Sequence, residues 1–211
     1  MRDISNPLTM HKRTMSLFPM LADSDNDARN RLGVLYRLES DRSTGQITLL
    51  LQSAVQPDFE ALESGYLVGT ADNPCCKPFD DFLERIELGA SMVFRLRANA
   101  TRKIMTKSDT NGQKHNGKRV PLASEEALYA WLKRKSSAAG FEVLSVRLIA
   151  EGVSGSSGSV RPVNSARFDS CLFEGLLKVI DVTQLRNAIR AGIGPAKAYG
   201  FGLLSVAPVR S

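Results

Sequence analysis

Cysteine, histidine and long apolar runs are scarce in this 211-residue sequence, and each scarcity excludes classes of protein. The three cysteines (Cys75, Cys76 and Cys171) have neither zinc-ligand spacing nor the pattern of a disulfide framework. No run of about 18 apolar residues is present to span a membrane, and the N-terminal stretch MRDISNPLTMHKR lacks the apolar core of a signal peptide. These absences predict a cytoplasmic protein that holds no metal.

Motifs of several enzyme classes are also missing. The sequence has no Walker-type G-x-x-x-x-G-K-[ST] loop and no HExxH helix. Its glycine-rich stretch GIGPAKAYGFGLLSV (residues 192–206) follows a predicted helix and precedes a predicted strand, which is the reverse of a dinucleotide-binding turn. A nucleotide- or phosphate-handling enzyme built on this stretch would also lack the acids needed to hold Mg²⁺. No small-molecule cofactor is therefore expected.

The second half of the chain has a clear pattern of strands and helices. Alternation predicts a strand over Met92–Asn99, and a helix follows the N-cap Ser124. Two strands follow, at Phe141–Glu151 and Cys171–Ile180. An acid-capped helix at Asp181–Gly192 and a last strand at Leu203–Pro208 complete this half. This βαββαβ order predicts a ferredoxin-like domain, the plan of RNA-recognition modules and of many unrelated enzymes.

The first half reads as a less regular version of the same plan. Asn6-Pro7 is typical of a helix start, and Leu32–Ser40 with Gln46–Ala54 predicts a hairpin. A strand should precede the helix, so either this strand is lacking or truncated, or the native start lies upstream of Met1. We therefore expect an α+β fold of two tandem ferredoxin-like domains, residues 1–90 and 91–211.

One of only two histidines, His11, lies in the first predicted helix. Leu8, Met15 and Phe18 share its helical stripe, so spacing alone favours a histidine at the edge of the core over a catalytic one. The other, His115, lies in the polar stretch NGQKHNGKR and is expected to be incidental.

Positive charge is concentrated in the middle of the chain. The sequence has 28 lysines and arginines against 22 acids, a formal charge of +6. Between Arg95 and Arg119 eight residues are basic and only Asp109 is acidic. Such a stretch favours binding to phosphate backbones, although a solvated basic face remains the alternative. Because RNP-type aromatics are missing, RNA would be bound as a duplex hairpin, through backbone and shape.

Six segments together resemble the CasE family, the CRISPR repeat endoribonucleases of type I-E Cascade. They are LLLQSAVQPDF (49–59), MVFRLRAN (92–99), KRVPL (118–122), AWLKRK (130–135), CLFEGLLKV (171–179) and GIGPAKAYGFGLLSVAP (192–208). The resemblance implies a metal-independent ribonuclease that cuts CRISPR precursor RNA at the 3′ base of the repeat hairpin, leaving a 2′,3′-cyclic phosphate. It also implies that the enzyme stays bound to the hairpin beside the other Cascade subunits, including the backbone protein of the crRNA filament.

The same resemblance assigns a role to His11. In PLTMHKRTMSLFP it occupies the position of the family's cleavage histidine, which reverses the expectation from spacing and makes His11 the expected catalytic residue. Family members often carry a tyrosine one turn earlier, where this sequence has Leu8; Lys12, Arg13 or a distant residue is expected to compensate. Leu8 and the short N-terminus favour the alternative, a non-catalytic hairpin-binding subunit.

Ten basic residues are the expected RNA contacts. The resemblance implies that the loop VRPVNSARF enters the groove of the hairpin through Arg161 and Arg167. The other expected contacts come from the basic stretch, from the end of the helix after Ser124 and from the glycine-rich stretch: Arg95, Arg97, Lys118, Arg119, Lys133, Arg134, Lys135 and Lys197. For the three at the helix end, a charge cluster favoured by the helix dipole is the alternative.

Overall fold

The protein is a mixed α+β structure with antiparallel sheets. The computed structural model describes residues 3–21, 27–41, 43–70, 72–104, 119–154 and 168–209, the side chains of 152–154 excepted. The described helices are α1 (Pro7–Met15), α2 (Ala28–Arg31), α3 (Asp80–Glu84), α4 (Glu125–Ala138) and α5 (Val182–Ala191). The described strands are β1 (Leu35–Ser40), β2 (Ile47–Gln52), β3 (Ser91–Ala98), β4 (Thr101–Lys103), β5 (Arg119–Pro121), β6 (Phe141–Ser154), β7 (Phe168–Val179) and β8 (Leu204–Pro208). None of these helices is long and apolar enough to cross a membrane.

Four strands of the second half form one antiparallel sheet in the order β6-β7-β3-β8. Along the chain α4 lies between β3 and β6, and α5 lies between β7 and β8, which confirms the order predicted for this half. β3 alternates as expected, with Met92, Phe94 and Leu96 buried between more exposed neighbours. These side chains share the main core with Trp131 of α4 and Leu185 of α5, so both helices pack on one face of the sheet.

Both of these helices begin and end at the residues that the sequence indicates. The Ser124 hydroxyl accepts a hydrogen bond from the Ala127 amide, and the Asp181 carboxylate accepts one from the Gln184 amide. Each such cap contributes about 1 kcal/mol. α5 ends at Gly192, whose φ of 76° is disfavoured for residues with a Cβ.

The first half contains α1 and the β1–β2 hairpin. The Asn6 side chain accepts hydrogen bonds from the amides of Leu8 and Thr9, and Pro7 occupies the first helical position, as predicted. The hairpin pairs all six residues of β1 with β2. A small second core lies beneath these elements, and its buried members are Leu17, Phe18, Leu32 and Val34.

The predicted apolar stripe of α1 is confirmed only in part. Met10 and Thr14 are the buried side chains of this helix, whereas Leu8 is 39% exposed and His11 is only partly buried. Phe18 is buried, but it lies beyond the end of α1, so a helical period cannot relate it to His11. Met15, one turn after His11 on the same side of α1, is partly buried and packs against the second core, so His11 lies at the edge of a packed face.

The two halves are joined through a buried arginine. Arg37 of β1 is 3% exposed and donates hydrogen bonds to the carbonyl oxygens of Leu203 (3.2 Å) and Arg95 (3.4 Å) and to the Ser205 hydroxyl (3.0 Å). Its Nε also donates to the Glu39 carboxylate at 2.9 Å. These bonds fix β1 against β3 and β8, and they bring α1 close to the glycine-rich segment.

Candidate active site

His11 lies where α1 meets the glycine-rich segment. Within that segment Lys197–Tyr199 forms a single 3-10 turn, which packs against α1 and β1. The rings of His11 and Tyr199 meet edge to face, with centroids 5.9 Å apart and planes at 68°. Tyr199 in turn stacks on Phe168 at 4.9 Å. An aromatic residue from the end of the chain thus borders the imidazole near its beginning.

Two glycines allow this segment to fold tightly. A Cβ at Gly202, where φ is 86°, would lie 2.8 Å from the carbonyl oxygen of Ile193. The backbones of these residues are joined by a 2.8 Å hydrogen bond from the Ile193 amide to the Gly202 carbonyl. A Cβ at Gly200 would lie 3.1 Å from the ring of Tyr36, whose hydroxyl donates to the Ala198 carbonyl. The glycines therefore position the 3-10 turn and its side chains.

The residue before Lys197 is strained. Ala196 has a φ of 63° and is the one non-glycine residue with positive φ in the described parts of the chain. This conformation costs an alanine roughly 1–2 kcal/mol, and such strain concentrates at functional sites. The conformation of Ala196 fixes the backbone just before Lys197, which is the first residue of the turn that contacts His11.

Basic side chains from four parts of the chain gather here: His11, Arg29, Lys135 and Lys197, which we call the basic cluster. Burial lowers the pKa of His11, and the charge of Arg29 lowers it further. Burial likewise lowers the pKa of Lys197, with further contributions from the charges of Arg29 and Lys135. The guanidinium of Arg29 therefore interacts electrostatically with both His11 and Lys197. Its Nη1 donates a hydrogen bond to the Val34 carbonyl at 2.9 Å.

This arrangement combines a base with an anion-binding surface. Because the pKa of His11 is below its usual value near 6.5, the imidazole is predominantly neutral at pH 7 and is able to accept a proton. The cations around it would be relieved of mutual repulsion by an anionic group bound between them. Lysine and arginine are the side chains that commonly bind phosphate groups in proteins.

A cavity of about 390 Å³ adjoins the site. It lies between α1, the β1–β2 hairpin and the glycine-rich segment, and Tyr199 borders both the cavity and His11. Its volume falls within the range of small-molecule sites. The residues that line it include Pro7, Met10, Tyr36, Arg97, Glu151 and Tyr199.

Sequence comparison assigns the chain to a family. A family model described as CRISPR associated protein matches residues 1–208. The chain belongs to this family. Among its relatives, the CRISPR-associated endoribonuclease Cse3 of Thermus thermophilus is 32% identical, over 98% of this chain and 92% of that protein. The CRISPR system Cascade subunit CasE of Escherichia coli K12 is 33% identical, over 95% of this chain and 91% of that protein.

Solved structures of CRISPR-associated proteins have the same overall fold. The CRISPR endoribonuclease Cse3 bound to a 19 nt RNA matches with a TM-score of 0.74 and 29% identity, over 98% of this chain and 92% of that one. Cas6e of Escherichia coli K-12 matches with a TM-score of 0.66 and 30% identity, over 97% of this chain and 93% of that one. The resemblance inferred from the six segments is confirmed.

The structure of this CRISPR-associated protein brings some predicted RNA contacts to His11 and gives others different partners. Lys197 and Lys135 belong to the basic cluster. Lys133 and Arg134 of α4 and Arg119 of β5 are exposed. Three further predicted contacts, and the incidental histidine, lie outside the described residues: Lys118, Arg161, Arg167 and His115.

Arg95 and Arg97 of β3 are engaged in ion pairs. Arg95 bridges Glu39 at 3.2 Å and Glu174 at 2.6 Å. Arg97 pairs with Glu151 at 2.6 Å, and its guanidinium lies 5.2 Å from the ring centroid of Phe201. The apparent excess of positive charge in this stretch is thus partly neutralised by acids that are distant in sequence.

Two members of the site were missed from the sequence. Tyr199 stood within the glycine-rich stretch, but nothing local indicated that its ring would face His11. Arg29 has no motif around it, and only the fold brings it close to Lys197. Arg13, one of the alternatives offered to compensate for Leu8, pairs with Asp3 at 3.0 Å and Glu63 at 3.3 Å.

Proposed function

We propose that this protein is a metal-independent endoribonuclease that cleaves CRISPR precursor RNA at the 3′ base of the repeat hairpin. After cleavage it stays bound to the crRNA hairpin as a subunit of a cytoplasmic type I-E Cascade complex. The observation that carries the proposal is the partly buried His11, which packs against Tyr199 beside the basic cluster. Near full-length similarity to Cse3 and CasE, named as an endoribonuclease and a Cascade subunit, supports the same activity and partners.

His11 would act as the base in an intramolecular transfer. The ribose 2′-oxygen attacks the adjacent phosphorus while its proton passes to the imidazole, and the bond from phosphorus to the 5′-oxygen breaks. The departing oxygen takes up one proton to become a hydroxyl, and the other product carries a 2′,3′-cyclic phosphate. A positioned base typically contributes a factor of 10²–10⁴ in rate. Nearby cations stabilise the charge that develops on the phosphorane oxygens.

We also propose that the fold consists of two tandem ferredoxin-like domains, residues 1–90 and 91–211. The sheet order β6-β7-β3-β8, with α4 between β3 and β6 and α5 between β7 and β8 along the chain, supports this for the second domain. In the first domain, α1 followed by the β1–β2 hairpin supports it.

A cleavage assay tests the proposed activity. The protein is incubated with a synthetic repeat hairpin in EDTA, and the 3′ end of the product that retains the hairpin is analysed by mass spectrometry. We expect one cut at the 3′ base of the hairpin and a cyclic phosphate, because the attacking oxygen belongs to the RNA itself. Cleavage that requires added Mg²⁺ would contradict the mechanism.

The same assay decides the second candidate, a non-catalytic hairpin-binding subunit. Leu8, 39% exposed on the turn before His11, favours this alternative because it offers no hydroxyl where the family often has tyrosine. Tight binding of an RNA that stays intact would select it.

The salt dependence of binding tests whether the hairpin is held through its phosphates. About six phosphate contacts would weaken affinity on the order of 10³-fold between about 50 and 200 mM salt. We expect a double Lys133→Gln and Arg134→Gln variant to reduce the log–log slope by about 2, roughly 1 for each phosphate contact. Arg190→Gln, which removes a charge already paired with Asp80, serves as the matched control. A flat salt dependence would refute this mode of binding.

A further inference from the structure

We propose that Arg29 and Lys197 together bind the scissile phosphate, and that Arg29 is the second catalytic residue of the site. The proposal rests on the endoribonuclease function proposed above and deepens it. It assigns to α2 and the glycine-rich segment the charge stabilisation that Leu8 does not provide. Neither residue is near His11 in sequence. The 3-10 turn that begins at Lys197 contacts both α1 and β1 and meets His11 through Tyr199, and Arg29 is bound to the Val34 carbonyl just before β1.

The position of Arg29 is well defined. Its Nη1 donates to the Val34 carbonyl at 2.9 Å, so one edge of the guanidinium is held by the backbone that leads into β1. A planar guanidinium has five N–H donors in a fork that matches two phosphate oxygens, and one such bond leaves donors for a ligand. Arg29 is partly buried, which strengthens its electrostatic interactions.

Lys197 is held on the opposite side by the glycine-rich segment. Ala196 precedes it in a strained left-handed conformation, and a Cβ on Gly202 would come within 3.2 Å of its Cγ. Its side chain is partly buried. Lys197 is the first residue of the turn that contacts the imidazole through Tyr199, so the turn that carries Lys197 lies against His11.

The charges in this space repel one another in the free protein. Arg29 lowers the pKa of both His11 and Lys197, and Lys135 adds to the effect on Lys197. Asp27 compensates Arg29 only in part, because burial still lowers the pKa of the arginine. Bringing partly buried like charges together is unfavourable unless a ligand of opposite charge occupies the space between them. A phosphodiester beside the catalytic base fulfils this condition.

Other basic residues near His11 are less suitable. Arg13 is on the same helix, but it pairs with Asp3 and Glu63 and lies over the ring of Tyr66 at 4.9 Å. Lys12 is exposed. Arg29 therefore explains best how the site functions with leucine at position 8.

Affinity for the product tests the phosphate site without requiring cleavage. Two hairpins that end at the cut position are compared, one with a 3′-phosphate and one with a 3′-hydroxyl. We expect the phosphate to tighten binding to the wild-type protein about tenfold. We call this difference in affinity between the two hairpins the phosphate gap. It should fall to about twofold or less in Arg29→Ala and in Lys197→Met. Binding of the 3′-hydroxyl hairpin should be nearly unchanged, and this also shows that each variant is folded.

Chemical rescue tests the catalytic part. We expect Arg29→Ala to reduce the single-turnover rate about 100-fold, as the loss of one transition-state donor does elsewhere, and Arg29→Lys to lose less. Millimolar guanidinium chloride should restore part of the rate to Arg29→Ala, whereas equal NaCl should not. Arg31→Ala, which removes an exposed charge from the same helix, is the matched control and should keep both the rate and the affinity gap.

The outcomes separate the two proposals. If the wild-type protein does not cleave but the phosphate gap is present and depends on Arg29, the proposed activity is wrong and the phosphate site stands. If the protein cleaves and the gap persists in Arg29→Ala, the phosphate site is wrong. Equal losses in Arg31→Ala and Arg29→Ala would mean that net charge, and not position, is responsible. Absence of guanidinium rescue in a folded Arg29→Ala variant would overturn its catalytic role.

Discussion

Replacing His11 with alanine is expected to reduce the single-turnover cleavage rate by about 10²–10⁴ while hairpin affinity changes less than about twofold. The imidazole is half-buried at the junction of α1 and the glycine-rich segment, where its depressed pKa keeps it ready to accept a proton. Its side chain is not part of the buried face of α1, so its removal should leave the fold intact. The measurement is a saturating-enzyme time course paired with an equilibrium binding titration.

His115→Ala is the matched control, since it removes the other histidine of the chain and should leave the rate unchanged. The pH dependence gives a further check on the role of His11. Burial and Arg29 lower its pKa, so the basic form is lost only as the pH falls below the usual value near 6.5. The rate should therefore rise with pH through this lowered pKa and then level off. A rate that instead decreases with pH over this range would assign His11 the role of acid.

The sequence predicted the second half of the fold well because its signals are local. Ser124 and Asp181 begin helices through hydrogen bonds to amides three residues away. The alternation of β3 reflects the side chains on either face of a single strand. Each of these signals is contained within a few residues, so no knowledge of the tertiary structure is needed to interpret it.

Features that depend on distant contacts were predicted poorly. The stripe of α1 was only partly right, because Leu8 is exposed, the helix ends before Phe18, and Met10 and Thr14 are its buried side chains. Charge counting overestimated the free positive charge of Arg95, because Glu39 and Glu174 come from other strands.

The candidate site likewise has one residue that a local motif could indicate and two that only distant contacts bring to it. His11 could be assigned through its resemblance to a family motif, since that motif is continuous in sequence. Arg29 and Tyr199 reach His11 only through the packing of α2 and the 3-10 turn. Their side chains had no nearby motif that would have indicated a role.

Arg37 of β1 joins the two halves through contacts that are distant in sequence, and we call these contacts the joint. Removing them should have a large effect on stability. Arg37→Met keeps an unbranched side chain of similar length but removes the donors to the carbonyls of Leu203 and Arg95 and to the Ser205 hydroxyl. Removing one partner from a buried charged network costs about 3–5 kcal/mol. We expect a loss of this size in the free energy of unfolding, measured by urea denaturation. Cleavage should also slow, because β1 supports the turn that contacts His11.

A surface arginine provides the comparison. Arg190 pairs with Asp80 at 3.1 Å, but their side chains are 52% and 79% exposed. Exposed pairs of this kind contribute about 0–1 kcal/mol, so Arg190→Met should change the free energy of unfolding by no more than this. Equal effects in Arg37→Met and Arg190→Met would show that the buried hydrogen bonds do not hold the halves together. If Arg37→Met is destabilised but cleaves at the wild-type rate, the joint supports the fold and the active site is positioned by α1 and the glycine-rich segment alone.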